Sequence, residues 1–521
     1  MAYIIGIDTG GTYTDAVLLD TDHGMIKAKA KAFTTKEDLS VGIEKSLRGL
    51  GVLPDAIEKI VLSTTLATNA VVENELAPVG AIYIGKRPRC DFPDIPSVTV
   101  KGKINVKGRE EVCLDENEIL AVADHIKKNS SSIAVVGYMS VRNPVQELRV
   151  KELIREHTSL PVVCGHELSG NLGFKERAAT AILNAALLPI IASFLDSMEQ
   201  VLKKMSIDAP VFMVRGDGTM AELGMIREKP AETVLSGPAT SIIGAKYLTG
   251  SSFALISDMG GTTTDTAVLE NGMVRLSEFG AVVGPWRTHI PSAELHTCGI
   301  GGDSAVTYDK ELKVGPKRAL PLCRGGDTLT PTDVLHCFGV LEKWDKEPSL
   351  QGAEKLARKA DVSPEHFLDN VRDKILDSLG NAVLLEKDMP VIAIGAPVEY
   401  WFSAAAERFG FELFIPDHFE VANAVGAAAA EWKEQVVALV RPGEDGHGFL
   451  VHTSSARFAF KRKEDAVEKA VSVAKEEAEH RLREQGAVRV ESRAECVDVS
   501  EHVSGTYMET RITVVATGHL I

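Results

Sequence analysis

The chain has 521 residues, of which 45% are hydrophobic and 25% charged, the proportions of a compact globular protein with room for several domains. Its 73 acidic residues outnumber its 57 basic residues, which gives a formal net charge of -16. We find no basic block that would neutralise a nucleic-acid backbone or an anionic lipid surface. We therefore expect neither nucleic acid nor a membrane as a partner.

The N-terminal segment and the cysteines indicate a cytoplasmic protein. Asp8 interrupts the first apolar stretch too early for the core of a signal peptide, and no uninterrupted apolar run reaches about 18 residues. The 7 cysteines are scattered and never spaced as CxxC, which argues against a disulfide framework or a zinc knuckle. We interpret them as mostly buried small hydrophobic residues.

The first predicted element is a strand, a glycine turn and a second strand, with DTGGTYTD over 8–15. The same pattern recurs 250 residues later as DMGGTTTD over 258–265, identical at six of eight positions. A Gly-Gly-Thr turn lets backbone N–H groups approach an anion without Cβ obstruction, and the preceding Asp can hold a hydrated Mg²⁺. The duplication therefore predicts two facing turns that clamp one polyphosphate.

Two common nucleotide motifs are absent from the first turn. No Lys-Ser or Lys-Thr follows it, as a Walker loop requires, and no GxGxxG opens a helix after the first strand.

We assign Asp8 and Asp258 as catalytic residues that hold Mg²⁺ through water. Asp15 and Asp265 are expected to brace their own turns.

A helix is predicted near Val41–Leu50, and STTLATNAVVE follows over 63–73. Its polar residues predict either a helix cap or the wall of a cleft, and we take Thr65, Thr68 and Asn69 as candidate substrate contacts. The loop 85–110 is a further candidate for substrate contact, although its Lys and Arg residues fit a solvated surface equally well.

Three glycine-containing segments follow. LSGPATSIIGA over 235–245 predicts a turn that opens a helix of small residues, and HTCGIGGDS over 296–304 is a second glycine-rich element able to support a phosphate. His289 and His296 flank Glu294 and could bind a transition metal, or serve as ordinary structural residues. Cys298 has no His or carboxylate partner at a fixed spacing, and we discount it as a nucleophile.

The last third of the chain contains GGDTLTPTD over 325–333, a buried strand that ends in glycine at 391–397, and a helix of very small residues at 422–430. A charged helix near Lys463–Gln485 and an alternating strand at Arg511–Ala516 then predict a small α+β tail.

The paired glycine turns resemble those of the actin, sugar-kinase and heat-shock chaperone superfamily. Six motifs narrow the resemblance to the hydantoinase A and 5-oxoprolinase family, including N-methylhydantoinase A. They are an N-terminal signature made of the first glycine turn and TTxATNAxxE, the second glycine turn, SGPA, HTxGxGGxS, the GG element with TxTD, and ANAxGAA. The likeness runs from about residue 3 to about residue 435.

This resemblance implies an α/β fold with two duplicated ribonuclease-H-like domains, here 1–200 and 201–440, around an interdomain nucleotide cleft, followed by the tail at 441–521. It also implies that ATP and Mg²⁺ bind in this cleft, with the adenosine near Gly395, Ala396 and Asn423. The candidate cofactor-binding residues are Thr9, Gly10, Gly11, Thr12, Gly260, Gly261, Thr262, Thr263, Gly301, Gly302, Gly395, Ala396 and Asn423.

The chain departs from the family pattern in two places. Asp303 stands where relatives usually have a third glycine, and a shortened segment, Ala319–Cys323, precedes the GG element. Asp303 is a candidate substrate residue that could bind a metal ion or a basic group, or cap a helix. Either departure could reshape the substrate pocket.

Three functions fit these features. The leading hypothesis is an ATP-dependent hydrolase of a cyclic amide such as a hydantoin, N-methylhydantoin or 5-oxoproline. The second is the ATP-using subunit of an acetone or acetophenone carboxylase, and the third a non-catalytic actin-like nucleotide switch. We expect a homo-oligomer, with a hydantoinase B-like or carboxylase subunit as a candidate partner.

Overall fold

The computed structural model describes residues 2–35, 38–89, 95–386, 388–443, 447–453, 457–484, 487–500 and 507–519. The strands of the N-terminal part are β1 (Tyr3–Thr9), β2 (Tyr13–Asp20), β3 (Met25–Phe33), β4 (Ile57–Thr64), β5 (Val79–Ile84), β6 (Ser97–Val100), β7 (Lys103–Ile104), β8 (Glu110–Val112), β9 (Ser132–Gly137), β10 (Val162–Cys164), β11 (Val211–Val214) and β12 (Met220–Glu222). Its α-helices are α1 (Leu39–Gly49), α2 (Leu66–Val72), α3 (Glu116–Ile126), α4 (Val145–His157), α5 (Gly165–Leu168), α6 (Phe174–Lys204) and α7 (Leu223–Glu228).

The N-terminal part contains two sheets. The first has the order β12-β11-β4-β1-β2-β3, with β1 antiparallel to β2 and parallel to β4. The second is an inserted parallel sheet, β10-β9-β5-β6. The first sheet includes strands at 211–222, beyond residue 200 where the sequence analysis ended the first domain. The domain limits themselves remain a prediction.

Helix α6 is the one α-helix of the described residues that is long and apolar enough to cross a membrane. In its most apolar window 72% of the residues are buried inside the protein. Its apolar side chains, among them Leu183, Phe194 and Leu195, belong to the core of the N-terminal part. The helix is therefore accounted for as a core element.

The second part repeats the first sheet. Its strands are β13 (Ala254–Met259), β14 (Thr264–Glu270), β15 (Met273–Val274), β16 (Val282–Val283), β17 (Trp286–Arg287), β18 (Leu295–Cys298), β19 (Ser304–Asp309), β20 (Glu311–Arg318), β21 (Val391–Ile394) and β22 (Leu413–Phe414). Its α-helices are α8 (Ser236–Thr249), α9 (Pro331–Cys337), α10 (Glu347–Ala360), α11 (Pro364–Val383), α12 (Val398–Phe409) and α13 (Ala422–Ala428). Strand β13 is antiparallel to β14 and parallel to β21, as β1 is to β2 and β4. This repetition confirms the two duplicated ribonuclease-H-like domains.

The C-terminal unit is the predicted α+β tail, with β23 (Trp432–Pro442), β24 (Phe449–His452), β25 (Arg457–Phe460), α14 (Lys463–Glu484), β26 (Arg489–Ser500) and β27 (Tyr507–His519). Its antiparallel sheet packs on α14 through a stripe of buried alanines spaced four residues apart. The unit rests on the first sheet, because Trp432 meets the ring of Phe212 edge-on at 4.8 Å and the buried Arg215 donates to Glu434 Oε1 at 3.0 Å.

Helices α8 and α13 cross between the two ribonuclease-H-like sheets at unusually small residues. A Cβ atom at Gly244 would lie 1.9 Å from the carbonyl oxygen of Ala422, and one at Gly426 would lie 1.8 Å from that of Thr240. Strand β1 approaches α13 as closely, since a Cβ at Gly6 would lie 2.0 Å from Ala424 O. Glycine is needed at each position because no side chain fits between the backbones.

Substitution Gly426→Ala should force α8 and α13 apart and lower the free energy of unfolding by about 1–3 kcal/mol, the usual cost of overpacking. Urea-induced unfolding measures this change. The matched control is Gly224→Ala in α7, where an added Cβ meets no atom within 4 Å; a stability within about 1 kcal/mol of the wild type is expected there. Equal urea midpoints for both variants would contradict the close crossing.

Candidate active site

The two repeated motifs form hairpins with matching backbone geometry. Asp8 lies opposite Asp15 in the β1–β2 register, and Asp258 lies opposite Asp265 in the β13–β14 register. Each turn is closed by a hydrogen bond of 2.9 Å, from Gly10 N to Tyr13 O in the first and from Gly260 N to Thr263 O in the second. The duplication thus extends to the details of the turn.

Both turns present unused backbone donors. Within the described part of the chain, the N–H groups of Gly11 and Thr12, and those of Gly261 and Thr262, donate to no protein acceptor. Consecutive free N–H groups in a turn form a concave site for an anion such as a phosphate. This arrangement is the one expected of a polyphosphate clamp.

Asp8 stands at the base of the first turn in a buried position. Its burial, together with the charges of Asp15 and Asp258, raises its pKa to about 7. Its Oδ1 atom and the neighbouring Thr9 hydroxyl are buried without a hydrogen-bond partner among the described residues. Buried polar atoms are almost always paired in folded proteins, so this orphaned pair is a place where an absent ligand fits.

Asp258 stands at the corresponding point of the second turn, but its surroundings differ. The hydroxyl of Ser241 on α8 donates to Asp258 Oδ2 at 2.6 Å and lies 2.9 Å from the amide oxygen of Asn423 on α13. Burial raises the pKa of Asp258 to about 6, and the hydrogen bonds with Ser241 and Asn423 act against this rise. The crossing helices therefore orient this carboxylate.

These donors suit a magnesium ion. Mg²⁺ prefers carboxylate oxygens and retains several water ligands, and Asp8 and Asp258 supply two carboxylates within electrostatic range of each other. Asp15 and Asp265 are occupied instead, since Asp15 pairs with Lys31 at 2.6 Å and Asp265 accepts from Thr297 Oγ1 at 2.6 Å. These contacts tie each carboxylate to a neighbouring strand, β3 or β18, and a bracing role within their own turns remains a prediction.

The glycines at 301 and 302 have a different role from the one predicted. Gly301 N donates to Ser304 Oγ at 2.9 Å and Gly302 N donates to Gly260 O at 3.0 Å, so neither N–H is open to a phosphate. A Cβ at Gly301 would lie 2.6 Å from the backbone of the second turn. The segment therefore packs against the second turn and supports it. The prediction that Gly301 and Gly302 bind a phosphate through their backbone N–H groups is wrong.

Asp303 is held by two arginines that the sequence analysis missed. Its N–H donates to Gly261 O at 2.5 Å, and its Oδ2 atom lies 3.6 Å from Arg318 Nη2 and 4.0 Å from Arg324 Nη1. Burial raises the pKa of Asp303, and the two arginines act against this rise. The carboxylate is thus an ion-pair partner beside the second turn rather than a helix cap.

The residues predicted near adenosine lie close to the second turn. A Cβ at Gly395, where φ is +100°, would lie 2.3 Å from Met259 O and 2.8 Å from Asp258 Oδ1. Asn423 contacts Ser241 and Asp258, as described above. Ala396 is exposed beside Gly395. The structure thus groups Gly395 and Asn423 around the carboxylate of Asp258, and contact with adenosine remains a prediction.

The candidate substrate residues of α2 divide into two groups. Asn69 Nδ2 donates to Thr65 Oγ1 at 3.1 Å and would lie 3.3 Å from a Cβ at Gly11, which places this pair beside the first turn. Thr68 instead accepts a bond of 2.9 Å from Leu235 N just before α8. Thr65 is the N-cap of α2 but makes no side-chain capping bond, while the preceding Thr64 accepts from Leu66 N at 3.1 Å.

The two histidines proposed as metal ligands lie in different surroundings. His289 Nδ1 lies 2.8 Å from Ser169 Oγ, and burial lowers its pKa. His296 is exposed on β18, opposite Thr266. Among the described residues, the group of three possible metal-binding side chains is instead Glu147, Cys164 and His166, so the structure does not assemble a set from His289, Glu294 and His296.

That other group is already satisfied by protein contacts. Glu147 accepts from Gly137 N at 2.6 Å and from His166 Nδ1 at 2.5 Å, while burial raises the pKa of the Cys164 thiol. These contacts fix the loop that follows β9.

The loop predicted to contact substrate lines a separate space. Residues 90–94 of it lie outside the described residues, whereas 85–86 and 99–104 border a cavity of about 600 Å³ at the carboxyl ends of β5 and β9. The residues that line this cavity do not include the two glycine turns. Contact of the loop with substrate remains a prediction.

Two ribonuclease-H-like domains that carry paired Asp-containing glycine turns define an actin-like ATPase fold. Residues 177–436 match the model of the hydantoinase/oxoprolinase family, and residues 4–158 match the model of its N-terminal region. The chain therefore belongs to the hydantoinase/oxoprolinase family.

Relatives of this chain carry the names of several different enzymes. Caprolactamase subunit alpha of Pseudomonas jessenii is 26% identical over 82% of this chain and 65% of its own length. Acetophenone carboxylase gamma subunit of Aromatoleum aromaticum is 27% identical over 72% of this chain and 57% of its own length. 5-Oxoprolinase of Saccharomyces cerevisiae is 30% identical over 40% of this chain and 17% of its own length. The chain thus spans less than two thirds of the length of these relatives.

Two solved structures share the fold over nearly the whole chain. Nucleotide-free acetone carboxylase matches with a TM-score of 0.77 and 19% identity, covering 99% of this chain and 88% of that one. ATP-dependent caprolactamase from Pseudomonas jessenii matches with a TM-score of 0.77 and 20% identity, covering 99% and 87%. The likeness includes the C-terminal unit and shows the fold.

The raised pKa of Asp8 predicts a pH dependence of stability. An acid whose pKa rises from about 4 when unfolded to about 7 when folded binds more protons in the folded state, so stability falls as the pH rises through this window. In nucleotide-free and metal-free protein, the free energy of unfolding should therefore decrease less between pH 4.5 and 7.5 in Asp8→Asn than in the wild type. The expected difference is on the order of 2 kcal/mol.

Urea-induced unfolding across this pH range measures the effect. The matched control is Asp22→Asn, which removes the same charge from an exposed position and should run parallel to the wild type. If the Asp8 variant ran parallel as well, Asp8 would titrate normally in the folded protein.

Proposed function

We propose that this protein uses ATP to open a cyclic amide by phosphorylating the amide oxygen. The observation that carries the proposal is the pair of hairpin turns with free N–H groups, each next to a buried Asp carboxylate. The family supports it, since its members include proteins named 5-oxoprolinase and caprolactamase, which act on lactams. Magnesium held by Asp8 and Asp258 would neutralise phosphate charge when bound.

The chemistry explains why ATP is required. An amide carbonyl is a poor electrophile, and opening an unstrained lactam in water can be energetically uphill. Attack of the amide oxygen on the γ-phosphorus forms a new P–O bond and breaks the bridging P–O bond, whose electrons leave with ADP. The amide nitrogen loses its proton in this step to a general base, and the buried carboxylate of Asp8 would serve as that base.

The activated carbon then reacts with water. Addition of water allows the ring C–N bond to break, and the nitrogen takes the electron pair and the protons that it needs to leave as an amine. The remaining acyl phosphate is hydrolysed by a second water to a carboxylate and phosphate. For such a phosphoryl transfer the protein supplies positioning and charge neutralisation, which the two turns are suited to provide.

A second candidate is the ATP-using subunit of a ketone carboxylase. The similarity to subunits of acetophenone and acetone carboxylases favours it, because the same clamp would serve phosphorylation of an enolate oxygen. Several relatives are named as subunits, and this supports a partner subunit for this chain under either function.

ADP and phosphate release with Mg-ATP tests these alternatives when hydantoins, 5-oxoproline, ε-caprolactam and simple ketones are added one at a time. The amide hydrolase should show stimulation by a lactam and open one ring for each ATP consumed. Stimulation by a ketone alone would favour the carboxylase subunit. Turnover that no compound stimulates, even with a co-purified partner, would count against both and favour a nucleotide switch.

Substitutions at the two carboxylates provide the matching test. Asp8→Ala and Asp258→Ala should lower stimulated ATP turnover by at least 100-fold, about 2.7 kcal/mol of transition-state stabilisation. The exposed Asp22→Ala control should retain wild-type turnover. Wild-type turnover in both active-site variants would overturn the assignment of these residues.

A further inference from the structure

Arg318 contacts the first glycine turn and also the acidic side chain that lies beside the second. It ends strand β20 of the second ribonuclease-H-like domain, and its Nη2 atom donates to the hydroxyl of Thr12 in the first turn. The same atom lies 3.6 Å from Oδ2 of Asp303, whose own N–H donates to Gly261 O in the second turn. One guanidinium therefore links the first turn to the carboxylate beside the second.

The guanidinium retains unused donors at this position. Arginine has five N–H donors in a planar fork, and the contacts with Thr12 and Asp303 use the Nη2 group alone. Neither Nε nor Nη1 has an acceptor among the described residues, and the side chain is 41% exposed. A fork with free donors beside free turn amides matches the geometry of a phosphate group.

Asp303 explains why the arginine stays there without a ligand. A lone carboxylate against the second turn would repel a polyphosphate, since a Cβ at Gly261 would lie only 3.1 Å from its Oδ2 atom. Arg318 and Arg324 offset this charge from two sides. Arg324 is itself committed, because its guanidinium lies 5.9 Å from the ring of Tyr13 and 5.5 Å from that of Trp344.

We propose that Arg318 binds the terminal phosphate of the nucleoside triphosphate and so distinguishes it from the diphosphate. The inference rests on the proposed use of ATP and names a residue that this use does not itself require. The guanidinium lies between the two turns, so it would meet a phosphate group that both turns contact. The terminal phosphate is expected there because it carries the most negative charge. Such a cation stabilises the charge that develops when the γ-phosphoryl group is transferred.

Calorimetric binding of Mg-AMP-PNP and Mg-ADP to the purified full chain tests the assignment. Arg318→Gln should weaken binding of AMP-PNP by at least tenfold and change binding of ADP by less than twofold. Arg318→Lys should restore part of the loss, because lysine keeps the charge but loses the fork. The matched control is Lys317→Gln, an exposed neighbour on the same strand, which should bind both nucleotides as the wild type does.

Each other outcome is decisive. Equal losses for AMP-PNP and ADP in a variant whose thermal unfolding matches the wild type would overturn the assignment to the terminal phosphate, and so would unchanged binding of both. If Arg318→Gln fails to fold, Arg318→Lys takes its place, and wild-type binding of both nucleotides by that variant would overturn the assignment. Failure of the wild type to bind either nucleotide would instead overturn the proposed function on which the inference rests.

Discussion

The close crossing of α8 and α13 is the constraint on which the rest of the structure depends. Gly244 and Gly426 let the two helix backbones touch, and Gly6 lets β1 lie directly against α13. The same two helices carry Ser241 and Asn423, which hold the carboxylate of Asp258. Packing between the halves and orientation of an acidic group in the candidate site therefore have a common origin. A side chain at the crossing would disturb both.

The sequence predicted the features that local pattern determines. The paired hairpins were found because a strand, a glycine turn and a strand recur with the same carboxylates, and α14 was found because its charged face and apolar stripe are regular. Contacts between distant segments were not predictable in this way. Nothing near residue 318 signals that its side chain reaches Thr12, and the glycines at 301 and 302 do not reveal that their N–H groups are already used.

The duplicated backbone does not produce two equivalent sites. Asp8 and Asp258 have the same register and the same type of opposing acid. Among the described residues, however, the buried Oδ1 atom of Asp8 has no partner, whereas Asp258 is bonded to Ser241. The symmetric part is the cradle of backbone amides, which follows from the turn. The asymmetric part comes from side chains on neighbouring elements, and it gives the two carboxylates different readiness to bind a metal ion or a proton.

The C-terminal unit is connected to one domain and packed on another. Three residues separate the end of α13 at Ala428 from the unit's first strand, which begins at Trp432. Its side chains nevertheless rest on the first sheet through Phe212 and Arg215. If the halves rotate relative to each other, the unit will keep its place on the first half, because Glu431 in the short link accepts from Met220 N at 3.2 Å and α13 lies against β1 at Gly6. The outer surface shared by the unit and the second half would then change shape with the state of the cleft.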